Sequence, residues 1–214
     1  ERSSQEFLAG PRRQGSRQAP AATEHNHARA FSIIMTSDPI NPSFSIRVPE
    51  TDDMEREICD HCGFVNYDNP KIVVGSVATW EDRILLCRRA IDPRDGYWTL
   101  PAGYLEHNES PEAGARREAW EEARARLRIE QLLATYSITR ISQVQLIYRA
   151  KLKTAEIAAG IESREVDLFR WEAIPWDQIA FPSVIWALEH FRETMSQSDF
   201  PPRSRSDTDE NAAK

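Results

Sequence analysis

Gly103-Tyr104-Leu105-Glu106-His107-Asn108-Glu109-Ser110-Pro111, running on to Arg117-Glu118-Ala119-Trp120-Glu121-Glu122, is the stretch around which the chain is organised. It spells a loop that feeds a helix. Ser110 is a good N-cap and Pro111 is pre-set for the first helical position. From there to about Ala125 nothing breaks a helix, and Ala113, Ala115, Ala119, Ala123 and the straight-chain Glu and Arg residues favour one. Glu118, Glu121 and Glu122 stand at i, i+3 and i+4, so they share one face. Like charges on one face repel, and a counter-charge is needed. Arg117 is adjacent and is placed to reach back to Glu109; arginine alone would leave an ordinary solvated face. A hard divalent cation is the other solution. Mg²⁺ takes oxygen ligands, uses one or two carboxylates from the protein and fills its shell with water and substrate phosphate.

The totals bound the rest. A chain of 214 residues is long enough for one domain with a real core plus tails. A net charge of −7 argues against generic nucleic-acid binding through a basic surface. No apolar run is long enough to cross a membrane. Three cysteines, Cys59, Cys62 and Cys87, make no disulfide framework, and a reducing, cytoplasmic setting is the default expectation.

Residues 1–34 are rich in Arg, Ala, Ser and Gln and show no apolar periodicity. They read as a disordered tail or as sequence lying ahead of a start at Met35; an organelle transit peptide and a functional arm are the alternatives. Residues 35–70 read as a polar, Pro-punctuated arm, extended on the domain, with a C-x-x-C knuckle at Cys59 and Cys62. The knuckle looks like half of a zinc ribbon. A structural zinc wants four ligands, no second C-x-x-C exists, and His25, His27 and His61 are the conceivable partners, so a remnant turn is expected over a zinc site. Residues 71–195 form the folded domain, and 196–214, rich in Ser, Asp, Arg and Pro, are expected to be a disordered tail.

Within the domain, 72–80 and 83–89 read as a hairpin turning at Glu81-Asp82, and 92–96 as a loop. Strands are expected at 128–137, 144–152 and 165–171, with a loop over 154–164. A short helical turn follows at 175–179, and an amphipathic helix at 182–195 carries Val184, Ile185, Leu188 and Phe191 on one stripe. Strands outnumber helices and two substantial helices flank them. The fold class is α/β, a mixed β-sheet sandwiched between helices.

The loop and helix quoted above resemble the Nudix box, G-x5-E-x7-R-E-U-x-E-E-x-G-U with U apolar. Gly103, Glu109, Arg117, Glu118, Ala119, Glu121, Glu122 and Ala125 fall on it. One position departs: Arg124 stands where the late Gly belongs, so either the helix runs on or Arg accepts a positive φ at roughly 1 kcal/mol. The likeness extends over roughly 55–190, through Tyr67-x-Asn69-Pro70-Lys71, Leu85-Leu86-Cys87-x-Arg89 and Trp98-Thr99-Leu100-Pro101-Ala102. There it is similar to the plant plastid FAD/ADP-ribose pyrophosphatase group and its bacterial relatives. The resemblance implies a Nudix fold and metal-dependent hydrolysis of the diphosphate in a nucleoside diphosphate derivative, ADP-ribose or FAD, releasing AMP.

It also implies site residues. Glu118, Glu121 and Glu122, with the backbone of Gly103, would hold Mg²⁺ or Mn²⁺, while Glu109 and Arg117 would pair to fix the loop against the helix. The proton of the attacking water would go to a box glutamate or to Glu162 or Glu165, which lie beyond the box. Arg88 and Arg89 close a strand aimed at the box and are candidates for a phosphate contact, or are surface arginines. Trp98 and Phe181 are candidates for a base contact, or are packing residues, and Tyr104 is similar. NADH pyrophosphatase activity and non-catalytic ADP-ribose sensing are the rival functions. Only Ser142-Gln143 matches the motif of the first, and the second usually loses box carboxylates that this chain keeps. The partners implied are a small nucleotide substrate, with no nucleic acid or membrane, and a homodimer bridged by the arm at 35–57 is an open expectation.

Overall fold

The structure is a computed structural model, and it describes residues 42–209. The expectations for 1–34 and for the first residues of the arm lie outside the described residues. The described part of the arm is a small antiparallel sheet: β1 (Phe44–Arg47), β2 (Arg56–Cys59) and β3 (Val65–Asn66), in that order. Cys59 and Cys62 flank its tight turn, where Gly63 adopts φ +73 and donates to the carbonyl of Cys59 at 2.9 Å. Cys59, Cys62 and Cys87 are free thiols.

The main sheet follows. Its strands are β4 (Lys71–Trp80), β5 (Arg83–Arg89), β6 (Trp98–Thr99), β7 (Ala102–Tyr104), β8 (Leu127–Ile138), β9 (Gln143–Leu152), β10 (Ser163–Arg170) and β11 (Arg203–Ser206). The order is β10-β5-β4-β9-β8-β11, with β6 on β5 and β7 on β4. The sheet is mixed: β4 with β9 and β8 with β11 are parallel, and the other pairs are antiparallel.

Alternation along β4 and β5 builds two cores. Val77 and Leu86 pack with Trp186, Leu188 and Phe191 of helix α2 (Pro182–Thr194) on one face. Ala78, Leu85 and Cys87 pack with Ala119 and Ala123 of helix α1 (Pro111–Ala123) on the other. Period-two strands feed both faces, so each needs a helical cover, and the α/β/α arrangement follows. Helix α1 presents small residues inward, Gly114, Ala115, Ala119 and Ala123, so its axis lies close to the sheet. That closeness draws Glu118 and Glu122 under cover with them.

Helix α1 ends at Arg124, which takes φ 52, ψ 20, in the left-handed region. Its N–H donates to Trp120 O at 2.9 Å and that of Ala125 to Ala119 O at 3.1 Å, a Schellman pair. The helix therefore stops where the late Gly would stop it, and the guanidinium of Arg124 lies 5.6 Å over the Trp120 ring.

The tail expected from residue 196 is corrected up to residue 209. Phe200 is buried in the α2-side core beneath the guanidinium of Arg149, 4.6 Å from its ring centroid. Arg203–Ser206 then pair in parallel with Ala134–Ser137 of β8. Polar composition hid this, because a strand needs only one apolar anchor when the edge of β8 supplies its hydrogen-bonding ladder. Residues 210–214 lie outside the described part. No described helix is long and apolar enough to cross a membrane.

Candidate functional site

Ser110 caps α1 through its hydroxyl, which accepts the N–H of Ala113 at 3.2 Å, and Pro111 opens the first turn. This fixes where Arg117 emerges, and Arg117 organises the loop. Its Nε and Nη2 hold both oxygens of Glu109 at 3.2 and 2.7 Å, and Nη2 also donates to Tyr104 O at 2.9 Å. Nη1 bridges Glu118 Oε1 at 2.7 Å and Glu121 Oε2 at 2.9 Å. Glu109 returns a bond to the loop by accepting the N–H of Glu106 at 2.8 Å. The Glu109–Arg117 pair joins loop to helix in a planar two-point contact that a lysine cannot copy. Arg117 holds the Glu109 carboxyl below the usual range, aided by the Glu106 N–H.

The three helix carboxylates are not equivalent. Glu121 is exposed, whereas Glu118 and Glu122 are only 8% and 7% exposed. Burial raises the pKa of Glu118, against the pull of Arg117. Burial, then the charges of Glu118 and Glu162, push Glu122 up to about 8; Arg89 and the backbone N–H of Ala102 oppose this. One oxygen of Glu122, Oε2, is buried without a hydrogen-bond partner. Gly103 lies directly beneath Glu118, and a Cβ there would fall 2.4 Å from Glu118 Oε1. Among the described residues, no three His, Cys, Asp or Glu side chains converge as a ready-made metal cage. Arg117 stands between Glu118 and Glu121 instead.

These groups line a cleft of about 1210 Å³. Glu162 lies on it too, carried by the loop between β9 and β10. That loop satisfies the last carbonyls of α1: Gly160 N–H donates to Glu122 O and Ala158 N–H to Ala123 O, both at 2.9 Å. A Cβ on Gly160 would fall 1.6 Å from Glu121 O, so only glycine lets the loop lie this close.

Arg89 and Phe181 meet at the cleft, with the guanidinium 5.2 Å from the ring centroid. Tyr104 also lines it. Three candidates fall elsewhere. Trp98 is buried in the α2-side core and packs edge-on to Phe169 at 4.8 Å. Arg88 points away from the cleft, because neighbours on a strand face opposite sides. It binds Gly96 O at 2.9 Å and pairs at 3.3 Å with Glu165, its cross-strand partner. Glu165 is accordingly off the cleft as well.

Sequence reasoning passed over Gly160, Asp207 and Thr208. Gly160 carried only the ordinary signal of a glycine in a polar loop, and the other two sat in a segment whose composition spoke for disorder. Asp207 and Thr208 line the far end of the cleft.

The site is a Glu-rich helix laid over a glycine loop on the cleft of a mixed sheet packed between two helices. Residues 69–194 match the NUDIX domain, and the chain belongs to that family. It is 40% identical over 79 residues to a MutT-like protein of Streptomyces ambofaciens, a match spanning 37% of this chain and 49% of that protein. It is 26% identical over 113 residues to an ADP-ribose pyrophosphatase of Methanocaldococcus jannaschii, spanning 51% of this chain and 67% of that one. The chain thus spans about half to two thirds of these relatives. A Nudix hydrolase structure from Nitrosomonas europaea superposes with TM-score 0.72 at 44% identity, over 77% of this chain and 94% of that one.

Proposed function

We propose that this protein hydrolyses the diphosphate bond of nucleoside diphosphate derivatives, with ADP-ribose and FAD as the leading substrates and AMP as a product. The observation that carries this is Glu122: a carboxylate buried in the cleft beside Glu118 and Glu162, with one oxygen lacking a partner. A buried anion cluster of this kind is costly unless a cation meets it. The adjacent guanidinium on the helix, that of Arg117, is shared among Glu109, Glu118 and Glu121 and makes no hydrogen bond to Glu122.

The donor set fits a hard divalent ion. Glu118, Glu121 and Glu122 would hold Mg²⁺ or Mn²⁺, and the bare Gly103 leaves its backbone open to the same position. When bound, such an ion neutralises the diphosphate and makes a coordinated water more acidic. Arg117 keeps its grip on Glu109 and yields its Nη1 contacts to Glu118 and Glu121. Glu162 accepts the water proton, since it reaches the cleft from outside the helix and Glu165 does not. Phe181 holds the base by stacking, and Arg89 beside it meets a phosphate by charge. The ADP-ribose pyrophosphatase relative favours ADP-ribose as substrate class.

The test is incubation with Mg²⁺ or Mn²⁺ and ADP-ribose, FAD, NADH or 8-oxo-dGTP, beside Glu121→Gln, with products separated by chromatography. AMP from ADP-ribose or FAD, lost in the variant, is the expected result. No turnover of any of them with either metal would end the hydrolase assignment, and turnover of 8-oxo-dGTP alone would replace the substrate class.

A further inference from the structure

Helix α1 is charged on two faces. Glu118 and Glu122 look into the cleft. Arg116 and Trp120, also four residues apart, share the face turned away from them. There the ring of Trp120, 42% exposed, borders a shallow hollow of about 350 Å³. Arg116, Arg126 and Lys153 line it, with the buried Ala125 and Leu127. The fold, not the sequence, draws these cations together. Arg126 lies just before β8 and Lys153 just after β9, and the Lys153 N–H donates to Arg126 O at 2.8 Å, extending the Leu127–Leu152 pairing by one rung.

No acid lines the hollow, and Glu112, one turn before Arg116, stands outside it. Arg128 and Lys151, the next cations along the same two strands, both pair with Glu130, at 3.1 and 3.7 Å. Among the described residues Arg116, Arg126 and Lys153 make no salt bridge. They are not needed as helix caps either, since backbone N–H groups already meet the carbonyls of Ala119, Trp120, Glu122 and Ala123. Three cations gathered without an acid repel one another, in a chain whose net charge is −7. A bound anion relieves that repulsion.

The hollow also offers a flat surface. The guanidinium of Arg126 lies 5.4 Å over the Trp120 ring. A base stacks on the same ring, and the guanidinium it displaces, on an exposed side chain, turns to a phosphate. The volume lies at the small end of ligand cavities, roughly 300–1,000 Å³, and suits one nucleotide rather than two.

We propose that this hollow is a second nucleotide site, on the outer face of α1, which takes a nucleoside monophosphate with its base on Trp120 and its phosphate among Arg116, Arg126 and Lys153. It binds and does no chemistry, having no carboxylate to hold a metal. AMP is a ligand of this class. The site lies outside the cleft and stands whether or not the cleft hydrolyses anything.

Calorimetry with AMP in EDTA tests this on the full chain, because AMP has no anhydride to cleave. The background is Phe181→Ala, which removes the base contact in the cleft. That protein binds one AMP per chain. Arg126→Glu with Lys153→Glu weakens the binding at least tenfold, and Trp120→Ala weakens it at least fivefold. Trp120→Phe, which keeps a ring in place, stays within threefold and keeps the test decisive if Trp120→Ala unfolds. Loss of all AMP binding in Phe181→Ala, or binding unchanged by the double charge reversal, overturns the proposal. Inorganic phosphate bound as tightly as AMP would show a bare anion site and overturn it too. So would a short single-stranded RNA bound tenfold more tightly than AMP, which would make the hollow part of a nucleic-acid surface. AMP release from ADP-ribose in Mg²⁺, unaltered by the charge reversal, separates this site from the hydrolase assignment.

Discussion

Replacing Glu122 by glutamine should make the metal-free protein more stable as pH rises, relative to wild type, while removing the function. The carboxyl is pushed up to about 8 in the folded state, from an ordinary value of 4.5. Between those values the native state holds a proton that the unfolded chain has released. The native state is then the one that binds more protons, so stability is full below the unfolded pKa and falls as pH rises through the folded one. One proton corresponds to a slope of at most about 1.4 kcal/mol per pH unit. Integrated from pH 5 to pH 8 this is about 3 kcal/mol, shared in part with Glu118. The Glu122→Gln protein has no such slope. Its amide keeps an acceptor for the Ala102 N–H but leaves a donor unpaired, at a fixed cost of about 1–3 kcal/mol. Urea unfolding in EDTA, followed by the fluorescence of six tryptophans, measures both proteins at pH 5, 6, 7 and 8. The variant starts less stable or equal at pH 5 and gains about 3 kcal/mol on wild type by pH 8. Curves that stay parallel across that range would show that Glu122 is not a buried, strained acid. Mg²⁺ at pH 8 should raise the stability of wild type and not that of the variant.

Gly160→Ala places a methyl group where Glu121 O stands and breaks the two bonds that seat the loop on α1. It should cost about 2–3 kcal/mol in urea unfolding and lower turnover by carrying Glu162 away from the cleft; an unchanged melting midpoint would refute the close approach. Arg124→Gly relieves a left-handed backbone held by a side chain with a Cβ. It should stabilise by about 0.5–1 kcal/mol with turnover unchanged, read as a rise in Tm of a few degrees, and a lower Tm would show that stacking on Trp120 outweighs the backbone term.

Much of the site was legible because it is local. The spacing of Glu118, Glu121 and Glu122, the Ser110 cap and the reach of Arg117 to Glu109 are set within two turns of one helix and the loop before it. Helical periodicity and side-chain length suffice to place them. The hairpin, the central strands and α2 were legible for the same reason, each carrying its own pattern of alternation or stripe. Arg88 and Trp98 were harder, since their side depends on which face of β5 and β6 turns to the cleft, and that is set by pairing with β10 and by packing on Phe169.

The amino-acid sequence by itself determined the carboxylate helix, its caps and the alternating strands that require a helix on each face. Tertiary structure alone decided that Glu118 and Glu122 would be buried and Glu121 exposed, and so that burial raises the pKa of both Glu118 and Glu122. It also brought Glu162 to them across a loop whose Gly160 can touch the end of α1, and it turned a polar tail into β11. Local patterns report what a segment prefers. Burial and long-range approach depend on partners tens of residues away, and a charge's energy depends on those partners more than on its own sequence neighbours.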